Sequence, residues 1–361
     1  MIRRKVRPSG EALTRGAPTL ADVAARVGVS INTVSRSLRA PHTVRPALRR
    51  RIAEVLDEFN YVPNRLAGGL AGAHTSMVGV IITSLFNSEF AAIIEHLQRD
   101  LSGAGLNVMI GNSAYDPDEE LRLVRAMLSW RPAAIALVGC DHHPRAVDLL
   151  RSARVPVVEF WDASGDAIDS MVGVDHHAIG RLQATHLASR GYRRVAAVCA
   201  MRQHDYRARK RLEGARCAIK ELTGQDIVEK TLSVGGSPAL GEQLVEELLK
   251  REPKVNGIVC TGDVLAFGVL QGLRKLGRRV PDDVGVIGFG DNEAGAFLQP
   301  ALTTIRPPRA EIGRLAAEMI LRRIDGEQSR VELLQANLID RESTAPSNRR
   351  KRHASDGRPG R

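Results

Sequence analysis

Residues 19–39 read TLADVAARVGVSINTVSRSLR. Leu20, Val23, Ala24 and Val27 recur at helical spacing, and Thr19 stands where an N-cap belongs. Gly28 then stops the helix, since glycine takes a positive φ without the steric cost of a Cβ. Ser30 caps a second helix from Ile31 to about Leu38. That helix is short and polar, with Ile31, Val34 and Leu38 as its only apolar residues. Helix, glycine turn, helix is the sequence form of a helix-turn-helix. A third helix follows in PALRRRIAEVLDEFNY (46–61), with Pro46 at its start and Leu48, Ile52, Val55, Leu56 and Phe59 along one stripe.

Charge sets this head apart from the rest of the chain. Of the 361 residues, 1–73 hold 13 Lys/Arg against 5 Asp/Glu, and 341–361 hold 7 against 2. The net charge of +11 therefore lies at the two ends, and residues 74–340 carry −2. A basic head on a nearly neutral body suits a polyanion partner. The basic tail NRRKRHASDGRPGR has no periodicity and reads as disordered.

Five segments are expected: a flexible basic arm at 1–17, the head at 18–61, a hinge at 62–76, a body at 77–346 and a disordered tail at 347–361. The hinge, VPNRLAGGLAGAHTS, is marginally helical, because Gly68 and Gly69 each cost about 1 kcal/mol of helix propensity. From Met77 the texture changes. Strands MVGVIIT, LNVMIGN, AAIALVG and VPVVEF alternate with helices FAAIIEHLQRDLSGAG, DPDEELRLVRAMLSW and HPRAVDLLRSA. The alternation restarts at HAIGRLQATHLASRG and runs through RVAAVCA, ARKRLEGARCAIKEL, TLSVG, GEQLVEELLKR, GIVCTG and VLAFGVLQGLRKLG to DVGVIGFG. Two α/β halves with parallel sheets are expected, with a ligand cleft between them at the carboxyl ends of the strands.

The motifs TLADVAARVGVSINTVSRSLR, YVPNRLAGGLAG, VPDDVGVIGFGDNE, PALTTIRPP and RESTAP resemble the lactose-repressor/galactose-repressor (LacI/GalR) family of bacterial transcription regulators. The resemblance runs over roughly residues 18–346. MLSWRPAAIAL, HPRAVDLLRSARVPVVEFWD and VGVDHH are most similar to the gluconate-utilisation repressors. The resemblance implies a helix-turn-helix head and hinge helix followed by a two-lobed, periplasmic-binding-protein-like α/β body. It also implies a homodimer on a palindromic operator, placed in the cytoplasm at the nucleoid. No leucine heptads follow residue 346, so a tetramerising extension is not expected.

By this resemblance Ile31, Asn32 and Arg36 face base edges, where Arg pairs bidentately with guanine and Asn with adenine. Thr19, Ser30, Thr33, Ser35 and Asn64 are candidates for DNA contacts that position the head, the last four on phosphates. Leu70 takes the place of the hinge leucine that wedges open the minor groove.

Arg211, in RLEGARCAI, matches the family's pocket arginine, whose guanidinium can hold a carboxylate or bridge hydroxyls. In GFGDNEAG the family's sugar-binding aspartate falls at Gly290, not Asp291. Loss of an acid there, with Arg211 kept, favours a sugar acid over a neutral sugar, unless a register shift brings Asp291 into the pocket. Asp263, and Asp175 with His176, sit at strand ends and can serve as hydroxyl ligands or as structural caps. Phe86 and Asn87 are expected to line the first half's wall. Glu159, Trp161 and Asp162 follow another strand, and Trp161 can stack on a sugar face or belong to the core.

Other functions find little support. No GxSxG, P-loop, HExxH or GxGxxG after a strand marks an enzyme. The pairs His142–His143 and His176–His177 are adjacent rather than i,i+4. Cys140, Cys199, Cys217 and Cys260 are scattered and read as reduced thiols, so no metal or cofactor is expected. The basic start lacks an apolar stretch behind it, which argues against a secreted sugar-binding protein. No long uncharged apolar run suggests a membrane span.

Overall fold

The structure, a computed structural model, describes residues 18–61 and 75–345. The expected arm, nearly all of the hinge with Asn64 and Leu70, and the tail lie outside the described residues. The chain divides between residues 73 and 74 into two compact units.

The first unit packs three helices, α1 (Leu20–Val27), α2 (Ile31–Arg39) and α3 (Pro46–Glu58). Thr19 and Asp22 close a reciprocal capping box: the Asp22 N–H donates to Thr19 Oγ1 at 3.3 Å, while the Thr19 N–H and hydroxyl donate to Asp22 Oδ2 at 2.8 and 2.7 Å. Such a cap contributes about 1 kcal/mol. Gly28, at φ 78°, ends α1, and Ser30 caps α2 by accepting the Thr33 N–H at 3.2 Å. Val23, Ala24, Val27, Val34 and Ile52 form the core. The apolar spacing predicts that Val34 and Leu38 together hold α2 to this core, and for Leu38 the structure differs. Leu38 is half-buried, and Val34 with the small Ser37, one turn on, faces inward instead.

The second unit contains two six-stranded sheets. The first lobe takes β1 (Met77–Ile82), α4 (Ser88–Gly103), β2 (Asn107–Asn112), α5 (Pro117–Ser129), β3 (Ala134–Val138), α6 (Pro144–Ala153), β4 (Val157–Asp162) and β5 (Ser170–Val174). The second takes α7 (His176–Ser189), β6 (Val195–Ala200), α8 (Tyr206–Thr223), β7 (Val228–Leu232), α9 (Pro238–Arg251), β8 (Gly257–Cys260), α10 (Asp263–Lys275), β9 (Gly285–Phe289) and β10 (Thr303–Arg306). The chain then returns to the first lobe for α11 (Arg309–Ile324), which packs on α4, and β11 (Val331–Leu334), and crosses back for β12 (Asn337–Ile339). Sheet orders are 11-5-4-3-1-2 and 12-10-9-8-6-7. β3, β4, β5 and β9 are buried at every residue, as helix cover on both faces of a parallel sheet requires.

Three differences from the sequence reading have physical causes. The second sheet is not wholly parallel, because β12 runs antiparallel to β10 (Thr304 opposite Ile339). That strand arrives over a two-residue link from β11 in the other lobe and adds to the sheet edge beside β10. The strand expected in TLSVG is β7, which begins earlier, at Val228. It is a sheet edge, so polar Glu229 and Lys230 are tolerated in it. Finally, the halves are not sequential, since the first lobe is completed by α11 and β11. The links at Asp175, at 307–308 and at 335–336 all join the lobes.

Candidate effector cleft and DNA-reading helix

Ile31, Asn32 and Arg36 are exposed on α2, on the side opposite buried Val34 and Ser37. Ser30 Oγ lies 2.9 Å from Thr33 Oγ1, so the two hydroxyls sit side by side at the start of α2. Ser35 is half-buried on the same helix. Thr19 differs from these, because its hydroxyl is already given to Asp22 and its place is the cap of α1.

In the second unit, a cavity of about 600 Å³ opens between the lobes at the carboxyl ends of the strands. From the first lobe it is lined by Phe86, Asn87, Glu89 and Tyr115. From the second it is lined by Arg202, Asp205, Arg211, Thr261, Asp263, Phe289 and Asn292. Asn87 caps α4, its amide oxygen accepting the Glu89 N–H at 3.0 Å. Phe86 stands fully exposed at the rim.

Arg211 is 7% exposed. Its Nη1 donates to His176 Nδ1 at 2.9 Å and its Nη2 to the Thr261 carbonyl at 3.0 Å, while its guanidinium lies 4.1 Å above the Phe289 ring. Nε is buried without a partner among the described residues. Burial, then the cations Arg211, Arg207 and Lys210, hold the His176 pKa well below its usual value, so the imidazole is neutral and accepts. Two further arginines lie nearby. Arg207, also buried, donates to Thr83 Oγ1 at 3.2 Å and stacks with Arg202 on the Tyr115 ring. The hydrogen-bonding and stacking partners of Arg211 and Arg207 are neutral groups, while the Asp205 and Glu89 carboxylates act on Arg211 through space. A buried guanidinium with no carboxylate in direct contact is expensive, and Arg211 lines a cavity that can admit one.

Asp263 is buried beside them. Its Oδ1 accepts from Thr304 Oγ1 and its Oδ2 from the Asn292 N–H, both at 2.7 Å. Burial raises its pKa to about 6 against the pull of those two hydrogen bonds. Asp263 therefore both tethers the 290–292 loop and lines the cleft.

Four sequence assignments are corrected. Trp161 is 2% exposed, its ring packed among Phe90, His176 and Phe289. It lies in the core below Phe289 and does not line the cavity. Asp175 caps α7, its Oδ1 accepting from the His177 and Ala178 N–H groups at 2.8 and 3.0 Å, and borders a separate groove beside Leu333–Ala336. Asp291 is held by Arg306 at 2.5 Å and Arg341 at 2.7 Å, turned away from the cavity. Gly290 borders the site, but the inference drawn from its missing acid does not hold. A Cβ there would lie 2.8 Å from Glu89 Oε1, so a carboxylate from the other lobe fills that place.

Glu159 and Asp162 also serve elsewhere. Glu159 meets His142 at 3.3 Å and accepts the Ile168 N–H. Asp162 pairs at 2.7 Å with Lys210 of α8, across the lobes. Cys140, Asp141 and Asp162 come close enough to hold a metal, but the Lys210 ammonium already lies among them, 3.3 Å from Asp141 and 2.7 Å from Asp162. Sequence reasoning missed Glu89, Arg202, Asp205, Tyr115, Phe289 and Asn292. In the run RARKR, helical spacing could have separated buried 207 and 211 from exposed 209.

Among the described residues no helix is long and apolar enough to cross a membrane. The profile for bacterial regulatory proteins of the lacI family matches residues 19–64, and that for a periplasmic binding protein-like domain matches 184–344. The chain is 36% identical over 334 residues to the HTH-type transcriptional regulator GntR of Pseudomonas aeruginosa, covering 92% of this chain and 97% of that protein. Its structure is similar to a LacI-family transcriptional regulator from Silicibacter pomeroyi, with TM-score 0.86 and 34% identity, over 91% of this chain and 99% of that one. The fold is also that of the lac repressor dimer bound to operator and the anti-inducer ONPF, with TM-score 0.78 and 24% identity over 91% of this chain and 99% of the other.

Proposed function

The chain belongs to the LacI family of DNA-binding transcription regulators, and from that premise we propose that it is an operator-binding homodimer whose effector is a gluconate-type sugar acid. The observation that carries the ligand class is Arg211, a buried guanidinium with neutral partners facing a cavity of about 600 Å³. A carboxylate there gives the guanidinium an anion in direct contact and pairs with a planar donor group. Asp263, Asn87 and the rim residue Phe86 complete the site, with hydroxyls of the ligand on the polar groups. A neutral sugar is the second reading, favoured by the carboxylates Glu89 and Asp263 in the same cleft. Calorimetry of the full chain with gluconate, 2-ketogluconate, glucose and ribose decides between them. Binding confined to the neutral sugars overturns the sugar-acid reading.

On the DNA side, Ile31, Asn32 and Arg36 read bases, and Ser30, Thr33, Ser35 and Asn64 position the head on phosphates. Leu70 acts as the minor-groove wedge. Arg36→Ala is expected to cost about 1–3 kcal/mol and relax preference at one position per half-site. Binding measured across a set of single-base operator variants checks this. Uniform weakening on every sequence would make Arg36 a phosphate contact instead.

A further inference from the structure

Glu89 stands out in the cleft. It sits in the first turn of α4, in the first lobe, and is 6% exposed. Its Oε1 occupies the space that a side chain at Gly290, in the second lobe, would fill, 2.8 Å from that Cβ position. Asp263 Oδ2 lies 3.8 Å from the same point. Two carboxylates, one from each lobe, thus converge beside the cavity. Gly290 has φ 125°, a conformation that disfavours any other residue, so the acid cannot be supplied from position 290 at low cost. Glu89 Oε2 is buried without a hydrogen bond, although Arg309 approaches it at 3.4 Å. Glu89 also lines the cavity, where its carboxyl group can meet a ligand hydroxyl.

We propose that Glu89 is the specificity-determining acid of the effector site, binding the ligand's hydroxyls from the first lobe while Arg211 holds its carboxylate from the second. Hydroxyl recognition and the bridging of the two lobes are then one event. The ligand class is a polyhydroxy acid long enough to reach both walls, and this rests on the sugar-acid reading above. The charges around Glu89 come from four elements: Arg309 at the start of α11, Asp263 on α10, Arg211 on α8 and Asp291 after β9. Burial dominates, and against Arg309 it carries the Glu89 carboxyl up to about 7. The protonated carboxyl still accepts a ligand hydroxyl at its carbonyl oxygen and gains a donor, and a nearby anionic ligand favours that protonated form. Gluconate affinity should therefore be full below about pH 7 and fall as pH rises, by up to tenfold per unit for one linked proton.

The test is calorimetry of gluconate and its 3- and 4-deoxy analogues with the full-length wild type, Glu89→Gln and Glu89→Ala, across pH 6–9. Melting temperatures serve as the folding check. The wild type should prefer gluconate to at least one deoxy analogue. Glu89→Ala should bind gluconate about 10–100-fold more weakly and lose that preference. Glu89→Gln should remove the fall in affinity above pH 7, a result independent of any folding defect in the alanine variant. Unchanged gluconate affinity and deoxy preference in both variants would overturn the proposal while leaving Arg211's role standing. If the wild type binds glucose but no acid, the sugar-acid reading fails; Glu89 is then supported by weaker glucose binding in Glu89→Ala and overturned by equal binding. Binding of neither ligand by the wild type overturns both.

Discussion

Replacing Arg211 with alanine is expected to weaken gluconate binding by about 2–5 kcal/mol, roughly thirty- to several-thousand-fold. The guanidinium is buried against Phe289, with only neutral His176 and the Thr261 carbonyl as partners. Removing it takes away the buried cation assigned to the ligand's carboxylate and leaves only the exposed Arg202 among the cations lining the cavity. Arg211→Lys keeps the charge but not the planar fork, and should recover only part of the loss. Operator binding without ligand should persist in both variants, because the head has its own core. Calorimetry for the ligand and anisotropy for the DNA separate the two effects. Wild-type gluconate affinity in Arg211→Ala would show that the carboxylate is held elsewhere.

Gly180→Val should destabilise the second unit by about 3 kcal/mol, at the upper end of overpacking costs, and displace Arg211 with it. Helices α7 and α8 cross at reciprocal glycines. A Cβ at Gly180 would lie 1.8 Å from the Arg211 carbonyl oxygen, and one at Gly214 would lie 1.9 Å from that of His177. Neither neighbour is a side chain that can swing aside, so the helices must part. The backbone that carries Arg211 then moves away from Phe289 and Thr261. A fall in melting temperature of roughly 5–10 °C is expected, together with weaker gluconate binding in the protein that remains folded. Gly180→Ala should act in the same direction. Wild-type melting and ligand affinity in the valine variant would mean that the crossing is not held at these glycines.

The head was legible in the sequence almost residue by residue, because capping residues, a stop glycine and helical spacing are local signals. Thr19, Gly28 and Ser30 all stand where those signals put them. The α/β alternation was legible for the same reason as far as β9. Beyond it, β10, α11, β11 and β12 went unassigned, although α11 has an apolar face. β5 was missed because SMVGV is a five-residue strand that starts with a serine and contains a glycine, too short for periodicity to speak. The antiparallel β12 and the return of α11 to the first lobe depend on which sheet a short link reaches.

The cleft was harder to read. Arg211, Asp263, Phe86 and Asn87 line it as expected. Glu89 looked like an ordinary acid complementing a helix N-terminus, and its opposition to Gly290 spans two lobes and some two hundred residues. Charge partners such as Asp162 with Lys210 are equally invisible to spacing, and so is the burial that moves Trp161 from sugar platform to core.

Operator affinity with and without the acid shows whether ligand and DNA binding are coupled. DNA selected from palindromic libraries would be titrated with the full-length chain by fluorescence anisotropy, alone and with saturating gluconate. A ligand that couples to DNA binding changes the dissociation constant by about 5–150-fold. A shift of that size is expected with gluconate, none with glucose, and none with gluconate in Arg211→Ala. Gluconate that binds by calorimetry yet leaves the operator titration unchanged would contradict that coupling.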